Sequence, residues 1–195
     1  MLEKKIALLT SVTFNNIGNG FIDLGAEAAL MKALPLNAEL FKVSSNANFA
    51  ATMGQMFMLK ENPIINWLWV HTMQRAAKKL HDRSYKTVKT QNIFSMASMV
   101  KCDYFIIPGC VLTVPFFTIY GDLIKRKAEQ GSKIIFLGAS GNFYTEYEVK
   151  FVSEYLRKLR PYAIMTRDSL AYKYYANFTK NSYNGIDNVL SLIHI

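Results

Sequence analysis

Short apolar runs alternate along this chain with longer stretches in which apolar positions recur every three or four residues. Residues 6–10 form one such run, ended by a polar loop that contains glycine. From Ile22 the positions Ile22, Ala26, Ala29, Leu30 and Ala33 keep helical spacing until Pro35. Residues 39–43 predict a second strand, closed by the turn-forming Ser44-Ser45-Asn46. Asn62-Pro63 opens a helix to about residue 80, with proline at a tolerated first-turn position, and residues 91–100 predict another. Strands follow over 104–107, 133–137 and 162–166, and helices over 114–130, 146–159 and 169–175. Gly131 suits the end of the first of these helices, and Pro161 stops the second. Several strands are continuously apolar rather than alternating, as burial on both faces of a parallel sheet requires. The expected fold is α/β, a Rossmann-like parallel sheet with helices on both faces.

Composition narrows the class. The 195 residues are 51% hydrophobic and 13% aromatic, enough to pack a core. A disordered chain, a collagen-like repeat and a disulfide-stapled miniprotein are excluded. The length suits one domain, or one domain and a stub of another. Cys102 and Cys110 imply no disulfide framework, so a cytoplasmic setting is expected. The apolar stretch after Lys5 is too short for a signal peptide. Residues 104–121 are uncharged over 18 positions, the length of a membrane span, but Pro108, Gly109 and Pro115 interrupt them. Strand, loop and helix start is the preferred reading.

The net charge is +9, and residues 61–101 carry seven basic and two acidic side chains. Arg75, Lys78, Lys79, Arg83, Lys86 and Lys89 supply most of that excess. An anionic membrane face would fit such a patch as a peripheral contact. A solvated helix face is the simpler reading, and nucleic acid is not expected as a partner.

Ligands of open parallel sheets bind at the carboxyl ends of the strands, and three strand-end loops here carry unusual residues. The first runs from Thr13 to Gly20 and includes Asn16, Gly18 and Asn19. Its glycines would let backbone approach an anion at a helix N-terminus, although Asp23 stands where a dinucleotide fingerprint wants a third glycine. Asparagine side chains closing a tight turn explain the same residues. The second is Pro108-Gly109-Cys110, where the cysteine has no local base and reads as buried and structural. The third is Thr166-Arg167-Asp168-Ser169. Arg167 can grip a phosphate or carboxylate with two parallel hydrogen bonds, or simply make an ion pair. Asp168 and Ser169 are good helix caps. His71, His81 and His194 lack ligand spacing, so no metal is expected. Tyr172, Tyr174 and Tyr175 read as core and rim of the last helix.

Together these loops resemble the polysaccharide pyruvyl transferase family. Asn16-Ile17-Gly18-Asn19 is similar to the family's Asn-x-Gly-Asp/Asn loop after strand one. Ile106-Ile107-Pro108-Gly109-Cys110 stands where the family has an apolar strand ending in Gly-Gly, with Cys110 a departure. Thr166-Arg167-Asp168-Ser169-Leu170 is similar to the strand that runs into Arg-Asp-x-x-Ser/Ala, and Ser140 matches a small polar strand-end residue. The resemblance implies transfer of a pyruvyl group from phosphoenolpyruvate to two hydroxyls of a glycan acceptor, without a cofactor. It implies substrate contacts by Asn16, Gly18, Asn19, Gly109, Ser140 and Arg167. It also implies a GT-B-like pair of domains of which this chain is the first half, the catalytic histidine and further arginines coming from the second. Half of a GT-B glycosyltransferase and a non-enzymatic anion- or nucleic-acid-binding domain are the alternatives.

The resemblance runs from about Ile6 to Phe178, and residues 1–178 are expected to form one Rossmann-like domain. Residues 179–195 read as a truncated tail, and Leu190-Ser191-Leu192-Ile193-His194-Ile195 is similar to the translation of a sequencing adaptor. These six residues are expected to be non-native, and the chain alone to be inactive.

Overall fold

Both faces of the first strand are buried, and the layering of the molecule follows from that. The computed structural model describes residues 4–11, 17–35, 37–44, 101–185 and 187. Strand β1 (Lys4–Thr10) leads to α1 (Ile17–Ala33), β2 (Ala38–Ser44), β3 (Tyr104–Pro108) and α2 (Val114–Glu129). Then come β4 (Lys133–Ala139), α3 (Glu146–Leu159), β5 (Ala163–Thr166), α4 (Ser169–Tyr175), a 3-10 turn (Ala176–Phe178) and β6 (Ser182–Asn184). The six strands form one all-parallel sheet in the order β2-β1-β3-β4-β5-β6.

Successive residues of a strand point to opposite faces. Ala7, Leu9, Phe105, Ile107, Phe136 and Ile164 therefore meet α2, α3 and α4 in the larger core. Ile6, Leu8 and Ile106 meet Ala26 of α1 on the other side, with Ile135 and Leu137 partly buried beside them. From β1 the chain moves outward in both directions. Right-handed crossovers running opposite ways put their helices on opposite faces. The result is the expected Rossmann-like α/β fold, with strand order reversing between β1 and β3.

The helix starts are written locally. Thr113 Oγ1 accepts from Phe116 N at 3.3 Å, and Thr145 Oγ1 accepts from Glu148 N at 3.2 Å. Asp168 Oδ1 accepts from Ala171 N at 2.7 Å, so the expected capping role is present. Gly131 follows α2 with φ +91°, and Arg160 closes α3 at φ +52° just before Pro161.

Several boundaries differ from the sequence reading. Helix α1 begins at Ile17, five residues before the apolar periodicity. Gly18, Asn19 and Gly20 are poor helix formers, and a first turn tolerates them because its N–H groups lack helical partners anyway. The sheet also passes residue 178, because Ser182–Asn184 pairs with β5 inside the stretch read as a tail. Residues 104–121 are β3, a loop and the start of α2, and no described helix is long and apolar enough to cross a membrane. The helices read at 62–80 and 91–100, the 75–89 basic patch, His71, His81, His194 and residues 190–195 lie outside the described residues.

The outer strand β2 carries charge at its margin. Lys42 Nζ lies 3.0 Å from Glu27 of α1, and Glu39 lies 3.4 Å from Lys5 of β1.

Candidate functional site

The carboxyl ends of the strands form one rim. Within it, β3, β4 and β5 are stitched together by backbone hydrogen bonds beyond the regular ladder. Gly109 N donates to Leu137 O at 3.3 Å, and Ser140 N donates back to Gly109 O at 3.2 Å. Leu112 N donates to Ser140 O at 3.0 Å, and Arg167 N donates to Ala139 O at 3.1 Å. Three of the expected positions, Gly109, Ser140 and Arg167, thus occupy consecutive strand ends.

Gly109 has to be glycine. Its φ is +90°, and a Cβ there would lie 3.3 Å from Ile22 Cγ2 of α1. Ser140 is buried, and its Oγ accepts from Arg167 Nε at 3.0 Å. Arg167 Nη1 makes a 2.6 Å ion pair with Asp187. Among the described residues nothing hydrogen-bonds Nη2, so the guanidinium keeps donor capacity that no described residue takes up. Sequence reading did not find Asp187, since an ion pair across twenty positions has no local signature.

The first loop stands at the far end of the row. Gly18 is exposed in the first turn of α1, and Asn16 lies outside the described residues. Asn19 Nδ2 donates to Ser11 O at 3.3 Å, while Ser11 N donates to Asp23 Oδ2 at 2.8 Å. Asn19 therefore ties the exit of β1 to α1, the turn-closing role that its residue type allows. Strands β3 and β4 separate β1 from β5, three spacings or about 14 Å in all. Gly18 and Arg167 share the rim, but a ligand as small as phosphoenolpyruvate does not touch both. The expected positions form a row, with Gly109 the link between its ends.

A second cluster supports Arg167 from behind. Tyr144 OH donates to the Asp168 carboxylate at 2.9 Å and accepts from Gly141 N at 2.8 Å. Burial, with Asp168 adding to it, raises the Tyr144 phenol above its usual range, so it remains a donor at neutral pH. Tyr144 has φ +51°, and a Cβ on Gly141 would fall 2.6 Å from its ring. Glu148, buried in the first turn of α3, accepts from Phe143 N at 3.0 Å and Tyr144 N at 2.7 Å. This is a capping box displaced toward the loop, and the Thr145-x-x-Glu148 spacing is its sequence signal.

Cys110 is exposed, not buried as expected, with its Sγ donating to Gly141 O at 3.2 Å. The turn at Gly109 carries it past the end of β3, out of the core that its residue type suggests. Tyr175 is fully buried and Tyr174 packs at the core's edge, while Tyr172 faces solvent. Among the described residues no group of three or more His, Cys, Asp or Glu could hold a metal ion.

The rim can bind an anion at Arg167 and bring backbone close at Gly109. Comparison with family models, curated proteins and solved structures finds no match for this chain.

Proposed function

We infer that this chain is part of a transferase that moves a pyruvyl group from phosphoenolpyruvate to two hydroxyls of a sugar in a surface polysaccharide or its precursor. The observation that carries the reading is Arg167 at the carboxyl end of β5, held through Nε by buried Ser140 and through Nη1 by Asp187, with Nη2 unclaimed by any described residue. A planar guanidinium fixed in this way suits the carboxylate or the phosphate of phosphoenolpyruvate. The glycine at position 109, one strand beyond Ser140, removes the side chain that would otherwise crowd the ligand.

The reaction protonates the methylene carbon and builds positive charge at the neighbouring carbon. Two sugar hydroxyls add to that carbon as phosphate departs. Of their two protons, one replaces the proton taken up by the methylene and the other leaves with phosphate. Arg167 stabilises the anionic donor; the general acid is assigned to the second domain that the family resemblance implies.

Titration calorimetry of the whole chain with phosphoenolpyruvate, pyruvate and inorganic phosphate tests the reading. The expected result is saturable phosphoenolpyruvate binding, weakened at least about tenfold by Arg167→Ala and less by Arg167→Lys. No binding, or equal binding by Arg167→Ala, overturns it.

A further inference from the structure

The loop between β4 and α3 is held firmly yet presents apolar rings to solvent. Its backbone is pinned by Glu148 and by the Tyr144 hydroxyl, which Asp168 fixes in turn. Even so, Phe143 at the loop tip is 77% exposed, and Tyr147 in the first turn of α3 is 68% exposed. Between these rings and the start of α2 lies a cleft of about 460 Å³, whose walls include Cys110, Val114, Pro115, Asn142, Phe143 and Tyr147. Its size falls in the range of small-molecule sites.

We propose that this cleft binds a neutral sugar ring and is the acceptor subsite of the transfer inferred above, a reading on which the acceptor role rests. Aromatic and aliphatic walls match the C–H face of a pyranose. Asn142 adds an amide, and the cap residues Thr113 and Thr145 also line the cleft. Each hydroxyl has used one acceptor lone pair on its helix N–H and still has a proton to donate. Charge excludes an anion here. Glu146 and Glu148 stand in the first turn of α3, where they offset the positive end of the helix, and Glu148 itself lines the cleft. Continuity with the rim comes from the loop: Ser140, bound to Arg167, is three residues from Phe143, at most about 10 Å of chain. A hydroxyl of a bound ring would face the anion that Arg167 holds.

Saturation-transfer NMR on the whole chain with a panel of methyl hexopyranosides tests the assignment. The expected result is transfer to ring C–H protons, with affinity falling about five- to tenfold in Phe143→Ala and recovering in Phe143→Tyr. Both variants change an exposed side chain, and circular dichroism checks that each is folded. Phosphoenolpyruvate titrated in parallel should bind Phe143→Ala as it binds the parent chain, whereas Arg167→Ala should keep the hexoside signal. Hexoside transfer that needs Phe143 without any phosphoenolpyruvate binding would keep the sugar cleft and remove its acceptor role. No hexoside transfer, or transfer unchanged in Phe143→Ala, would overturn the cleft while leaving the anion rim to its own test.

Discussion

The two faces of the sheet are built to different depths. On one, Phe105, Ile107, Phe136 and Ile164 lie beneath α2, α3 and α4 and join a core that holds seventeen buried residues among those described. On the other, α1 is the described helix that packs over Ile6, Leu8 and Ile106, and neighbouring Ile135 and Leu137 keep part of their surface. Yet the strands are apolar on both sides, and adjacent residues of β4 differ only in which way they point. Side-chain chemistry chooses the sheet; the direction in which each crossover turns decides how deeply a given residue is buried.

Replacing one residue on each face sharpens this contrast most. Phe136→Ala, at a site with no exposed surface, should cost about 4 kcal/mol in urea unfolding, through lost burial and an unfilled cavity. Ile135→Ala, one position along but on the other face, should cost about 1–2 kcal/mol because less surface is lost from burial. Equal costs would mean that both faces are sealed alike.

Gly109 links the strand row to α1, since its left-handed turn ends β3 and a side chain added there would meet Ile22 of α1. Gly109→Ala should cost about 2 kcal/mol from the left-handed backbone alone. It should also weaken phosphoenolpyruvate binding through displacement of the Ser140 amide. Unchanged stability would mean that the turn relaxes out of its left-handed backbone to accept a side chain.

The smallest effect belongs to the phenols of the large face. Burial raises Tyr144, Tyr155 and Tyr175 above the ordinary tyrosine range, so the folded chain keeps protons that the unfolded chain releases above pH 10. Their stabilisation is complete below pH 10 and is lost as pH climbs further. Lys127, lowered by burial, works in the opposite sense, favouring the fold as pH approaches 10.5. Tyr155→Phe removes the hydrogen bond to the Gly121 carbonyl, at a cost of about 1 kcal/mol at pH 7, and should flatten the alkaline fall. An unaltered alkaline slope would show that Tyr155 titrates normally.

The sequence disclosed the fold where a signal is local. Continuous apolar runs marked β1, β3 and β4, and Asp168 announced the start of α4. Boundaries slipped where backbone geometry rather than hydrophobicity decides. Helix α1 starts among glycines, and the three residues of β6 are too few to show a period. The site was legible as a set of strand ends but not as a distance. Nothing in the order of residues reveals that β3 and β4 lie between Gly18 and Arg167, or that Asp187 reaches Arg167. Cys110 misled because residue type favours burial, whereas the Gly109 turn carries it outward.

The paired charges along β2 have a consequence apart from folding. Exposed ion pairs such as Lys42–Glu27 and Lys5–Glu39 add little to stability. Among the described strands β2 ends the sheet, and a margin bearing Glu39 and Lys42 is a poor template for a stray β-segment, which would have to strip those groups of water before it could zip on. When many copies of this chain emerge together, that inhospitable border helps keep them from fusing into ribbons.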